Sequence, residues 1–338
     1  MKINNLLAHF VLHICFYFCT FAVRFLVTRY EVVIKRIIPY VAVTTAMLIW
    51  AGAGIAVKEA LVVFTPLMLI VLRFSLAVLL MLIVGLICRR NDVLKLQRVK
   101  KNDIPLFILG GFFQPFLYFI FETYTYQCFS SPTIAEAMLS TQPVLAPIFA
   151  WVLLREHVTR NNVIGILVST VGVLLLLLVG TTSFEMGSPW GVLLAFLTVS
   201  MSVSYAVVLR RIPTCYSALS IVFYVQLFSL LLFYPLWYFT DGQCVVDGGL
   251  LAEGGEQWLK SLLSVGYLAV FASVAAFVLF CYTVRQIGVT RANVFNNVRP
   301  VFTAILMWLL FDELLPLWKW IGIILIIIGL FISQKRGK

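Results

Sequence analysis

The run TIAEAMLSTQPVLAPIFAWVLLREHV, residues 133–158, recurs 157 residues later as TRANVFNNVRPVFTAILMWLLFDELL, residues 290–315. The register continues without a gap, so that NNVIGILVSTVGVL (161–174) falls on WKWIGIILIIIGLF (318–331). Among the identical pairs are Thr133/Thr290, Ala135/Ala292, Pro143/Pro300, Trp151/Trp308, Glu156/Glu313, Gly165/Gly322 and Gly172/Gly329. Chance similarity between apolar segments matches Leu with Val. It does not align a Pro, a Trp, a Glu and two Gly in one register. The chain is therefore two homologous halves, and a repeat of this kind decides the fold before any local reading does.

Composition says what the halves are made of. Hydrophobic residues are 62% of the 338 and charged residues 12%, against about 45–50% and about 25% in soluble domains. Such a chain has too little polar surface to cover itself in water. Apolar runs of about 20 residues, each long enough for a hydrocarbon core of about 30 Å, recur along it. A membrane β-barrel would need alternating segments of about ten residues, which are absent. The sequence predicts an all-α polytopic membrane protein with ten spans at 37–58, 66–88, 104–124, 132–154, 161–180, 190–210, 217–239, 260–284, 290–311 and 317–334.

The net charge of +11 does not indicate a nucleic-acid partner, because the charges lie in short links between spans. Alternate links collect Arg29, Lys35 and Arg36, then Arg89 to Lys101, Arg155 and Arg160, Arg210 and Arg211, Arg285 and Arg291, and finally Lys335, Arg336 and Lys338. The opposite links carry only Lys58, Lys260 and Lys319. This asymmetry places both ends of the ten-span core in the cytoplasm. Five spans per half is an odd number, so the second half is expected upside down relative to the first. The basic link Arg89–Asp103 and its acidic counterpart Asp241–Leu259 agree with that inversion. Four regions follow: an N-terminal extension (1–36), a first repeat (37–181), a second repeat (188–334) and a basic tail (335–338). The extension carries the apolar run Leu6–Val23 without the basic start or cleavage site of a signal peptide. It reads as an extra apolar segment or as sequence upstream of a misassigned start.

Chemistry of the enzymatic kind finds little footing. His9, His13 and His157 are the only histidines, the seven Cys are scattered without a CxxC, and no HExxH, GxSxG or phosphate-binding glycine loop occurs. No cofactor or metal is expected.

The paired Pro143–Trp151–Glu156–Gly165–Gly172 and Pro300–Trp308–Glu313–Gly322–Gly329, with Trp50, a small-residue run and Lys58 in span 1, and Pro66 and Arg73 opening span 2, resemble the EamA-domain transporters of the drug/metabolite superfamily. The resemblance covers about residues 37–333. It implies two inverted five-helix repeats, spans 1–4 and 6–9 around a central cavity, and spans 5 and 10 at the periphery, where subunits of a homodimer meet. The implied activity is secondary transport of a small metabolite, such as an amino acid, out of the cell through the inner membrane by alternating access. An uptake carrier, an exchanger, a channel or a membrane enzyme are the alternatives. The second half departs from the pattern: it lacks a counterpart of Lys58, and Gln226 stands roughly where Arg73 would map.

An arginine at the centre of a bilayer costs about 3 kcal/mol even on lenient scales. Arg73, Glu122, Glu136 and Arg299 all fall in predicted spans, so they must face the interior, each other or water. At about 1.5 Å per residue, Arg73 lies about 10 Å deep from outside, while Glu122 closes span 3 and Glu136 opens span 4. With Lys58 these form an expected outer cluster. Arg299 enters from the inside, opposite in level to its repeat partner Gln142. Two readings stand. Arg73 pairs permanently with Glu122 or Glu136 and fixes the packing, or Arg73 and Arg299 bind an anionic group while a glutamate exchanges a coupling proton. Asn293 and Asn296 share a face with Arg299 and serve as interhelical glue or as solute ligands. Trp50 heads the candidate wall aromatics, with Phe113, Tyr118, Tyr205, Tyr224 and Tyr282. Pro143 and Pro300 are static bends or equivalent hinges, and Gly165, Gly172, Gly322 and Gly329 permit close helix packing.

Overall fold

A computed structural model describes residues 32–88, 95–129, 139, 151, 159–178, 189–240, 255–311 and 317–334. The described residues form nine helices: α1 (Val32–Ala60), α2 (Pro66–Ile87), α3 (Lys101–Cys128), α4 (Arg160–Leu178), α5 (Pro189–Arg211), α6 (Ala218–Thr240), α7 (Gly255–Tyr267, Leu268–Ala275 and Ala276–Ile287), α8 (Val289–Val294, Phe295–Val298 and Arg299–Phe311) and α9 (Leu317–Gln334). The all-helical membrane architecture read from the sequence is what the structure has. Six of these helices are long and apolar enough to cross a bilayer. The fourth predicted span, 132–154, lies outside the described residues except for Leu139 and Trp151, both helical. So do Glu136, Gln142, Pro143, the Leu6–Val23 run and the basic tail.

Three boundaries differ from expectation. Helix α1 begins at Val32, inside the stretch read as extension. Helix α7 begins at Gly255, inside the stretch read as an acidic loop, where Glu256 and Lys260 form an i,i+4 pair at 3.0 Å that supports the added turn. Helix α3 runs on to Cys128, so Glu122 stands well within the helix rather than closing it. Thr125, which donates back to the Phe121 carbonyl at 2.7 Å, lets a polar turn stay helical in an apolar setting.

Local chemistry sets the ends. Thr65 caps α2, its hydroxyl accepting from the Met68 amide at 3.4 Å, and Pro66 follows at the first helical position. Gly288, at φ 88°, separates α7 from α8 in a conformation that disfavours any residue with a Cβ.

The packing obeys an exchange rule between the halves. Helix α1 packs on α7, and their counterparts α5 and α3 pack on each other; α2 packs on its counterpart α6, and α4 on its counterpart α9. Four side chains tie α1 to α7: Tyr267 donates to the Ile49 carbonyl at 2.6 Å, Trp50 to the Ala272 carbonyl at 3.0 Å, Ser261 to the Glu59 carbonyl at 2.9 Å, and Thr283 to the Pro39 carbonyl at 3.0 Å. The core between the halves is aromatic, with Phe74, Phe119, Phe233 and Phe277 in edge or stacked contact. Leu79, Ile83, Leu86, Ile164, Leu167, Ile324 and Phe331 are exposed, as residues facing lipid would be.

Helices α3 and α7 share an irregularity. Helix α7 winds as a π turn over Leu268–Ala275, and α3 is kinked over the equivalent stretch Phe112–Leu117. In α3 the cause is local: Pro115 has no amide to donate, and Gln114 leaves the helical region at φ −150° and ψ 118°. The freed Gly111 carbonyl accepts from Ser229 of α6 at 2.7 Å. In α7 side chains from other helices insert into the ladder, as described below.

At the end of the bundle that carries the basic links, the segment 95–100 is laced to the link before α6. Gln97 donates to the Cys215 carbonyl at 2.9 Å and its backbone amide to Ser220 Oγ at 2.8 Å, while Ser217 Oγ donates to the Lys95 carbonyl at 2.6 Å. Tyr216 donates to Asp103 Oδ2 at 2.6 Å and accepts from the Lys100 amide at 3.0 Å. Burial, and then the bond to Asp103, hold this phenol above its ordinary value of 10.0. Removing the hydroxyl with Tyr216→Phe is expected to cost about 1–3 kcal/mol, because it orphans an amide and a carboxylate oxygen. A folded-state value above the unfolded one means that the contribution is complete below about pH 10 and fades as pH rises through the higher value. Thermal unfolding of the two proteins should therefore differ at pH 8 and converge in stronger alkali.

Candidate functional site

A small cavity lies between the halves. Its walls come from six helices: Trp50 and Gly54 of α1, Arg73 of α2, Gln114, Tyr118 and Glu122 of α3, Ser202 of α5, Phe277 and Phe280 of α7, and Asn296 and Arg299 of α8. Ala53, Gly54 and Val57 leave the room, since larger side chains on that face of α1 would fill it. Three charged groups in one buried space, two cationic and one anionic, separate this cavity from an ordinary packing gap.

Arg73 is 4% exposed. Its Nε donates to Ser273 Oγ at 2.6 Å, and its Cζ stands 4.3 Å from the Phe119 ring centroid and 5.5 Å from that of Phe74. Among the described residues its terminal nitrogens have no hydrogen-bond acceptor. Glu122 exerts the largest favourable Coulomb effect on it, and the Glu122 carboxylate accepts from the Tyr118 hydroxyl at 2.6 Å. Desolvation of the guanidinium is thus offset by a nearby anion, a hydroxyl and an aromatic face.

The π turn of α7 is the hub of this arrangement. Widening the helix by one residue removes the i→i−4 pairing of consecutive carbonyls. The Ala272 carbonyl accepts from Trp50 Nε1 at 3.0 Å and the Ser273 carbonyl from Gln226 Nε2 at 2.6 Å, beside the Ser273 hydroxyl held by Arg73. Arg73 of α2 and Gln226 of α6 thus converge on one serine.

On the far wall Arg299 is 6% exposed, with its Cζ 6.0 Å from the Trp50 ring centroid. The 3₁₀ turn Phe295–Val298 brings residues three apart into line. Asn296 donates to the Asn293 carbonyl and side-chain oxygen, each at 3.2 Å, and Asn293 donates to the Val289 carbonyl at 2.9 Å. Asn296 reaches the cavity, whereas Asn293 stands behind and fixes it. Asn297 points away and donates to Ser169 of α4.

Of the predicted residues, Trp50, Arg73, Glu122, Asn296 and Arg299 meet at the cavity. Gln226 is fully buried behind it, and Lys58 donates to the Phe129 carbonyl at the end of α3 at 2.7 Å, away from the walls. Of the candidate aromatics only Trp50 and Tyr118 reach the cavity among the described residues. Ser273, Gln114, Ser202, Phe119, Phe277 and Phe280 were not expected. The four glycines sit where α4 meets α9: a Cβ on Gly165 would lie 2.5 Å from the Gly329 carbonyl oxygen, and one on Gly172 would lie 2.7 Å from that of Gly322.

The model of the EamA-like transporter family matches residues 37–178 and again 189–334. An uncharacterized transporter of Bacillus subtilis (strain 168), YetK, is 28% identical over 311 residues, covering 90% of this chain and 89% of that one. An uncharacterized transporter of Archaeoglobus fulgidus is 20% identical over 297 residues, covering 88% of this chain and 99% of that one. A crystal structure of a protein at 20% identity shares the fold, with a TM-score of 0.67 over 88% of this chain and 96% of that chain. Two family matches, one on each half, agree with the internal repeat and the helical bundle. The chain is a multi-pass membrane protein that belongs to the EamA-like transporter family.

Proposed function

We propose that the chain is a secondary active transporter of the drug/metabolite superfamily that exports a small metabolite, such as an amino acid, across the cell inner membrane. The observation that carries this reading is Arg73, a buried guanidinium in a cavity walled by both halves, with its terminal nitrogens unclaimed among the described residues. Arg73 and Arg299 receive the anionic group of the solute, Glu122 exchanges the coupling proton, and the aromatic walls receive the apolar part. The two five-helix repeats stand upside down to one another, with both ends of the core in the cytoplasm. They rock about Pro143 and Pro300 to open the cavity to each face in turn. Packed α4 and α9 form the outer surface through which two copies associate.

Counterflow in proteoliposomes tests the reading. Vesicles preloaded with unlabelled amino acids should draw in a radiolabelled amino-acid mixture transiently above equilibrium, which a carrier does and a channel or enzyme does not. Arg299→Ala should lower that flux about tenfold or more, since removing one partner from a buried charged site costs upwards of about 2 kcal/mol. Its membrane expression should be retained. Normal flux in Arg299→Ala removes this residue from the mechanism; absence of overshoot in the wild type removes the carrier.

A further inference from the structure

We infer that Ser273 is a positioning residue for the solute site: its hydroxyl fixes the rotation of the Arg73 guanidinium so that the two terminal nitrogens meet the anionic group. The inference rests on the reading of the cavity as an anion-accepting solute site.

A guanidinium offers a carboxylate two bidentate edges, one made of both terminal nitrogens and one that includes Nε. The 2.6 Å bond from Nε to Ser273 Oγ occupies the second edge. The Phe119 ring centroid lies 4.3 Å from Cζ, so the ring packs on the guanidinium. The bond to Ser273 sets rotation within the guanidinium plane, and the ring limits its displacement. The end-on edge is left for the solute.

A positioning group must itself be held. Ser273 is fully buried, and its carbonyl is taken by Gln226 at 2.6 Å while the adjacent Ala272 carbonyl is taken by Trp50 at 3.0 Å. Two consecutive residues of α7 therefore bind side chains of α1, α2 and α6. Gln226, which stands in the second half roughly where Arg73 stands in the first, braces the serine and is absent from the cavity walls. The repeat has diverged so that one half supplies the cation and the other supplies its support.

The test is equilibrium binding of radiolabelled benzoate, a carboxylate on an aromatic ring, to the full chain in nanodiscs. Unfolding temperature is measured without benzoate. Wild type should bind and Arg73→Ala should not. Ser273→Ala should weaken binding about tenfold, the scale of one hydrogen bond to a charged group, and shift the unfolding temperature by less than about 2 °C. Ser273→Thr, which keeps the hydroxyl, should bind within about twofold of wild type. Wild-type affinity in Ser273→Ala overturns the inference. So does equal weakening in Ser273→Ala and Ser273→Thr, or failure of Ser273→Ala to fold, because the side chain then serves packing. If Arg73→Ala binds normally, or wild type does not bind, the anion-accepting reading of the cavity falls and Ser273 falls with it.

Discussion

Arg73→Ala is expected to reduce transport roughly 100-fold at low solute concentration, in a protein that still reaches the membrane and elutes as a single species. The magnitude follows from two losses. The anionic group proposed for the solute loses its cation, and buried Glu122, the largest favourable Coulomb influence on Arg73, loses that neighbouring charge. Truncating one member of such a pair costs about 2–5 kcal/mol, and each 1.4 kcal/mol is about tenfold. Arg73→Lys separates charge from geometry. A lysine keeps the positive charge but cannot bond Ser273 through an Nε while presenting a planar fork. Its flux should fall between those of wild type and Arg73→Ala. Uptake into proteoliposomes measures both, and equal flux in all three proteins would show that the guanidinium is a packing element.

The second large effect is expected at the α4–α9 seam, where the backbones approach through glycines. A Cβ added to Gly165 would lie 2.4 Å from the Ser333 amide nitrogen, and one added to Gly329 would lie 2.5 Å from that of Ser169. Both neighbours are backbone atoms in helices, so no side chain can swing aside. Gly165→Ala and Gly329→Ala should each cost about 1–3 kcal/mol, the usual price of overpacking. The double variant should cost less than the sum, because each added carbon strains the same contact. Gly266→Ala is the control: nothing lies within 4 Å of the added carbon, and a helix gains about 0.5–1 kcal/mol when alanine replaces glycine. Thermal unfolding in detergent ranks the three, and loss in the control equal to that at the seam would refute the steric account.

How much of this was legible in the sequence differs from residue to residue. The repeat register and the recurring apolar runs located the helices, because length and hydropathy are one-dimensional properties. Arg73, Glu122 and Arg299 could be brought together in advance since lipid leaves a buried charge only one direction to face. Lys58 obeyed a different rule. Its long stem let the ammonium reach the Phe129 carbonyl at the helix end, so its place in an apolar span made no demand on the cavity. Ser273 was invisible. A serine in an apolar helix commonly satisfies itself on a carbonyl one turn back, and nothing in its neighbours announces a π turn. Phe119, Phe277 and Phe280 were hidden among 28 phenylalanines, since which of them meets a void depends on helix rotation.

The lacing of segment 95–100 to the link before α6 has a consequence for kinetics. Those bonds join hydroxyl, amide, carbonyl and carboxylate groups at the mouth of the bundle, where water takes the place of either partner once the segment lifts away. Parting them exchanges like for like, so the net free energy is small, yet all must yield within one event. A fastening of that kind governs how quickly its end of the protein unzips far more than the fraction of time it spends unzipped.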